Sequence, residues 1–233
     1  GAGTGHAAAL QRYATRLRTH GVRLVAAVRN YTAAEGLLNL GVAILQAPLW
    51  PGVWLTAEQR KRASSANMAD TLAEAGLMNE AAFIDVMRQW DEIITAVRPD
   101  LVVGDYAPAI ALMARGRIPL ILTGNGFTLP PSEMASFPPL HDFAPPRWNE
   151  DVVLTAVNKM ARSTGAQPLD RLTQMFAADA RIVESFAILD PYDRHRVEPI
   201  DGPIFDAPPS PRRADADGVV VYLAPGVAIH RDI

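Results

Sequence analysis

Four short apolar runs punctuate this chain: VRLVAAV at 22–28, VAILQAP at 42–48, DLVVGD at 100–105 and PLILTG at 119–124. Each is too short and too rich in branched residues for a helix, and helix-like sequence stands between them, TAAEGLL at 32–38 and APAIALMARGR at 107–117. Buried strands alternating with helices predict an α/β fold, a Rossmann-like parallel sheet with helices on both faces. The spacing also predicts helices over 6–20, ended by Gly21, and over 79–99. In the latter Asn79 stands as cap, Pro99 as stop, and Phe83, Val86, Trp90, Ile93 and Val97 recur every three or four residues. Helices are expected at 148–163 and 169–178, and short strand signals at ARIVES (180–185) and FAILDP (186–191).

Two segments break the rhythm. Residues 49–78 open on a Trp-Pro-Gly turn and run on for longer than a simple connector. Residues 125–146 carry three proline pairs, at 130–131, 138–139 and 145–146, and read as loop. Residues 1–206 therefore read as one domain, 207–218 (APPSPRRADADG) as a charged, proline-rich linker, and 219–233 as the opening of a second domain that is cut short.

Composition narrows the function. The net charge of −3 gives no electrostatic reason to expect nucleic acid or an anionic membrane. No apolar run reaches the ~18 residues of a membrane helix. The chain has no cysteine, which excludes disulfides, thiolate catalysis and cysteine-ligated metal and fits a cytoplasmic protein. His141 and His195 have no second ligand one helical turn away, so no metal is expected. Met87, Met113, Met160 and Met175 read as core fillers, and Arg60-Lys61-Arg62 as a solvated helix face.

The chain opens GAGTGH, directly before the first helix. Such a glycine loop ordinarily follows a strand, so a first strand is expected ahead of Gly1. As a dinucleotide turn it is incomplete. Gly1 and Gly3 fit, but His6 stands where the third glycine belongs, and the next strand ends in Arg29-Asn30 rather than an acid. An arginine there could serve a 2′-phosphate. The plainer alternative is a tight turn with His6 as an ordinary first-turn residue. Its address, beyond the carboxyl end of a sheet strand, is where open α/β sheets place ligands.

GAGTGH leading into a helix, followed by TRLRTHGVRLVAAV and by VRPDLVVGDYAPAIALMARGRIPLILTGNGFTLPP, resembles the amino-terminal half of GT-B glycosyltransferases. These include the UDP-glycosyltransferase and natural-product enzymes. The resemblance covers most of residues 1–206 and implies an acceptor-binding domain. It implies a hexosyltransferase that moves a sugar, with inversion, from a nucleotide-diphospho-sugar to a hydroxyl of an apolar small-molecule or lipid acceptor. No metal or other cofactor is implied. It further implies His6 as general base and Asp105 as its partner. An acceptor hydroxyl is a poor nucleophile until a base takes its proton, and a carboxylate behind an imidazole fixes its tautomer. The plainer role for Asp105 is a cap on the helix that follows. The donor half lies outside the sequence, so the fragment alone is expected to be inactive.

Gly3 and Gly5 would let the loop approach the reacting groups. Trp50, Trp54, Asn125 and Phe127, with Phe137, Leu140 and Phe143, would line an apolar acceptor pocket at the same sheet edge; each could instead pin its loop to the core. Two other functions stay open, a nucleotide-sugar epimerase or hydrolase of the same architecture and a non-catalytic NAD(P)-binding domain.

Overall fold

The structure, a computed structural model, describes residues 4–52 and 65–204. Gly3, Trp54, the 60–62 basic run, the 207–218 linker and the strand expected after it lie outside the described residues.

Among the described residues, five strands and six α-helices follow one another. Helix α1 (Thr4–Leu17) leads to β1 (Val25–Val28), α2 (Glu35–Asn39) and β2 (Ala43–Gln46). Helices α3 (Met68–Leu72) and α4 (Glu80–Val97) precede β3 (Val102–Asp105). Then come α5 (Pro108–Ala114), β4 (Leu120–Gly124), α6 (Glu150–Thr164) and β5 (Ala180–Val183). All pairing is parallel, as continuous apolar runs joined through helices require.

Among the described residues, the expected single sheet is in two parts. Strands β1 and β2 form one sheet, and β3, β4 and β5, in that order, the other. The smaller sheet packs a small core of Ala14, Val28, Ala34, Leu37 and Val42. The larger sheet packs the main core, in which Met87, Met113, Met160 and Met175 are all buried. Leu120 and Leu122 point into that core beside α5. Thr123, on the opposite face by strand alternation, meets Tyr13 of α1.

Helix α4 follows its sequence pattern, with one shift. Asn79 Oδ1 accepts the Ala82 N–H, and Phe83, Val86, Met87, Trp90 and Ile94 are buried. Ile93 and Val97 are only half-buried; both line a cavity between the sheets, and Ile93 also packs on the main core. Two expected elements are replaced by 3₁₀ turns. Residues 169–178 hold one at Leu172–Phe176, and FAILDP, expected as a strand, forms one at Ala187–Leu189. The second follows from position. Glu184 already ends the β5 ladder, and Ile188 and Leu189 stand in solvent with no strand beside them.

The 49–78 segment is held at both described ends. Gly76 has φ 115°, and a Cβ there would lie 2.6 Å from Pro51 Cγ and 2.7 Å from the Gly52 nitrogen. That close approach lets Gly52 N–H donate to the Ala75 carbonyl at 3.1 Å. Asp70, fully buried, accepts the backbone N–H groups of Ala66, Arg147 and Trp148, each at 3.0 Å, and so ties this segment to the end of the proline-rich loop.

Gly76→Ala is therefore expected to cost roughly 2 kcal/mol or more in urea unfolding, from positive φ and steric overlap together. Gly165→Ala is the control. Its φ is 74°, but a Cβ there meets nothing within 4 Å, so only the backbone strain of about 1 kcal/mol is expected.

Candidate active site

Three polar side chains stand in a row across the larger sheet. Asp105 is the last residue of β3 and is in register with Thr123 of β4. Thr123 is in register with Ile182 of β5, and Glu184 follows two residues later on the same face. All three point toward α1, which meets them with His6, Arg12 and Tyr13. His6 and Tyr13 are seven residues apart, two helical turns, and so share one helix face.

His6 Nδ1 lies 2.9 Å from Asp105 Oδ2. A carboxylate only accepts, so Nδ1 carries the proton, and in the neutral ring Nε2 keeps the lone pair. The Asp105 side chain is 6% exposed and that of His6 30%, so the carboxylate is shielded while the imidazole reaches solvent. Among the described residues Nε2 has no hydrogen-bond partner. Asp105 does not cap the following helix. Ala107 holds the N-cap of α5, with no side-chain bond to the helix amides.

Tyr106 closes the other side. Its ring stacks on His6 with centroids 6.1 Å apart and planes 21° apart. Its backbone is left-handed, at φ 43°, an uncommon conformation for a residue with a Cβ. This turn ends β3 at Asp105 and sends the chain into α5.

Glu184 anchors the middle of α1. It accepts from Arg12 at 3.0 Å, from Thr123 Oγ1 at 2.9 Å and from the Tyr13 hydroxyl. Tyr13 and Thr123 also touch at 3.0 Å. Each hydroxyl has one proton, so the two protons are shared among three contacts. Burial, the bond to Glu184 and the nearby Glu184 and Asp105 charges push the Tyr13 phenol up to about 12, against the opposing bond from Thr123.

A cavity of about 710 Å³ opens between the two sheets. At its carboxyl end it is lined by His6, Asp105, Tyr106, Trp50 and the Arg29-Asn30 turn. The structure thus brings His6 and Asp105 together, and Trp50 lines the same cavity. Trp50 also packs edge-on against Phe83, ring centroids 4.7 Å apart. The other candidates lie elsewhere. Gly5 is in the first turn of α1, not in a loop, and a Cβ there would meet nothing within 4 Å. Asn125 closes a local turn, accepting the Thr128 N–H at 2.9 Å, and Phe127 packs on the main core. Phe137 is buried against Phe176, Leu140 packs on the same core, and Phe143 is exposed and stacked on His141. Phe127 and Phe137 therefore pin their loop, and none of the 125–146 aromatics lines the cavity.

Arg12, Tyr13, Thr123 and Glu184 did not stand out in the sequence. Two signals mark them: the seven-residue step from His6 to Tyr13, and the place of Glu184 directly after a strand, like Asp105 at the end of its own. Among the described residues, no group of three or more His, Asp or Glu side chains could hold a metal, and no helix is long and apolar enough to cross a membrane.

Tyr13→Phe should be less stable than the parent by about 1 kcal/mol near pH 7, the usual worth of a lost hydrogen bond. Because folding raises the Tyr13 pKa, its contribution is complete below pH 10 and is lost as pH rises from 10 to about 12. Urea midpoints of the two proteins should therefore converge across that window. A gap that stays constant to pH 12 would remove Tyr13 from the network. No protein-family model matches the sequence, and no curated protein matches it.

Proposed function

We propose that this chain is the acceptor-binding half of a GT-B-type glycosyltransferase, acting in the cytoplasm, with His6 as general base and Asp105 as its orienting partner. The observation that carries the reading is the 2.9 Å contact between His6 Nδ1 and Asp105, with Nε2 unpartnered among the described residues and His6 lining a cavity. The parallel α/β fold and the resemblance of GAGTGH, RPDLVVGD and IPLILTGNGF agree with it.

In this mechanism the acceptor hydroxyl sits against His6 Nε2 and gives up its proton there. The oxygen forms a bond to the anomeric carbon as the bond from that carbon to the nucleoside diphosphate breaks. The leaving group departs with the electron pair, so the anomeric centre inverts. Asp105 holds the ring in the base-competent tautomer and stabilises the imidazolium that forms. Tyr106 stacks on the ring and limits its rotation. Trp50 offers an apolar wall to the acceptor. The nucleotide-sugar is a co-substrate held by a donor-binding half.

Glu184 bears on the epimerase or hydrolase alternative. A second working carboxylate would be needed in the cleft, but Glu184 is engaged by Arg12, Thr123 and Tyr13. The cofactor-binding alternative predicts NADP retained on purification.

The test is made in the polypeptide that carries both halves. His6→Ala should lower kcat by about 10³ while leaving the acceptor KM nearly unchanged. Asp105→Asn should lower it by about 10². Product anomers resolved by NMR should be inverted relative to the donor. Full activity in His6→Ala would remove the mechanism.

A further inference from the structure

Residues 184–200 leave the sheet at the end of β5 and return to it at Asp201. Asp201 N–H donates to the Val183 carbonyl at 2.9 Å, and its carboxylate accepts the Val183 N–H at 3.0 Å, so the two ends of the excursion are tied together. The closed loop keeps its strongest charges inside. The Asp190 and Arg196 side chains are 0% and 2% exposed and pair with one another. Arg196 also donates to Glu198 at 2.7 Å and to the Gly126 and Leu129 carbonyls at 3.2 and 3.0 Å. Arg181 of β5 holds the same Glu198 at 3.0 Å. Tyr192, between the paired residues in sequence, is fully buried in the main core.

The outside of the loop is apolar. Ile188 and Val197 are each 92% exposed, and Phe186 and Leu189 stand more than half in solvent. Pro191 and Pro199 are exposed in the same loop. This inverts the ordinary arrangement, in which surface loops turn charge to water and apolar groups to the core. The inward ion pairs hold the loop in one shape, so docking costs it little ordering entropy. At roughly 100 Å² for each apolar side chain, the six together offer on the order of 500 Å², as much as the largest patch on a typical monomer and a mark of an interaction surface.

We propose that this loop is the contact face of a homodimer, in which a second copy of the chain lays the same loop against it about a twofold axis. Area and charge both favour a second copy. Two such patches face to face bury about 1,000 Å², where specific interfaces begin. Asp193 and Arg194 stand in the same loop, adjacent, exposed and of opposite sign, and neither has an ion-pair partner among the described residues. A twofold contact brings residue i to j and j to i, so a charged surface meets itself without repulsion only where it carries both signs in complementary places. Here Asp193 of one protomer faces the partner's Arg194, twice over. Such rim pairs set orientation more than affinity, which the apolar patch supplies. The loop leaves the sheet from β5, two strands away from the β3 that carries Asp105, and the proposal is independent of the reaction proposed above.

Sedimentation equilibrium of the 233-residue chain from about 1 μM to about 500 μM should show monomer passing to dimer and no larger species, because a twofold contact closes on itself. Ile188→Asp and Val197→Asp place a charge where the side chain already meets water. Both variants should therefore keep the parent's urea midpoint at low concentration, and each should weaken dimerisation tenfold or more. Asp193→Arg and Arg194→Asp should each weaken it alone. An equimolar mixture of those two variants should restore it, because the mixed dimer again sets opposite charges face to face. A monomer at every concentration, a dimer indifferent to Ile188→Asp and Val197→Asp, or charge variants that fail to complement one another would overturn the proposal. So would amide protection at Ile188 and Val197 that is independent of concentration and lost on deleting 218–233, which would assign the patch to the chain's own apolar run GVVVYLAPGVAI.

Discussion

Helix α1 is the clamp on which the rest of the structure depends. Through Leu10 and Ala14 it shares the small apolar core with β1, α2 and β2. Through His6, Arg12 and Tyr13 it grips the carboxyl ends of the other three strands. No described strand joins the two sheets; this helix, apolar toward one sheet and polar toward the other, holds them together, along with Ala27, Ala47 and Trp50, which pack onto the main core. Arg23, donating to the Val97 carbonyl at 3.1 Å, adds one tie at the opposite end. The grip on the larger sheet is shielded from water. The side chains of Asp105 and Glu184 are 6% and 9% exposed, which makes their bonds worth more than surface pairs.

The same clamp makes the site. An imidazole placed by a helix over a carboxylate placed by a strand is held by two rigid elements, as precise chemistry requires. The polar row then divides by role. Asp105, at the open end, leaves one imidazole nitrogen free. Glu184, farther along, is saturated by three donors and holds α1 in place. Two carboxylates of one row thus differ in function because their partners differ.

Much of this was legible in the sequence because the relevant forces are local. Alternating valine-rich runs and helix-length segments gave parallel strands, and Asn79 and Pro99 bounded α4. The pairing of His6 with Asp105 came from the resemblance of GAGTGH and RPDLVVGD to the glycosyltransferase motifs, and the geometry of the parallel sheet puts both at one edge. What stayed hidden depends on register and on non-local packing. Glu184 joins the site only because β5 pairs with β4 so that its side chain falls on the Thr123 face. FAILDP has the composition of a strand but no neighbouring edge to pair with. The fate of Phe137, packed on Phe176 and held through its N–H by Glu150 of α6, was decided by non-local elements that no local pattern reports. The division of the sheet was equally invisible, since each strand reads the same whether one edge is paired or two.

The proposed chemistry turns on the tautomer of His6. Ring-nitrogen NMR of the 233-residue protein labelled with ¹⁵N-histidine measures it directly, with Asp105→Asn used to assign the signals. The account predicts a proton on Nδ1, an unprotonated Nε2 in the neutral ring, and loss of that preference in Asp105→Asn. A ring protonated on Nε2, or a tautomer mixture unchanged by Asp105→Asn, would contradict it.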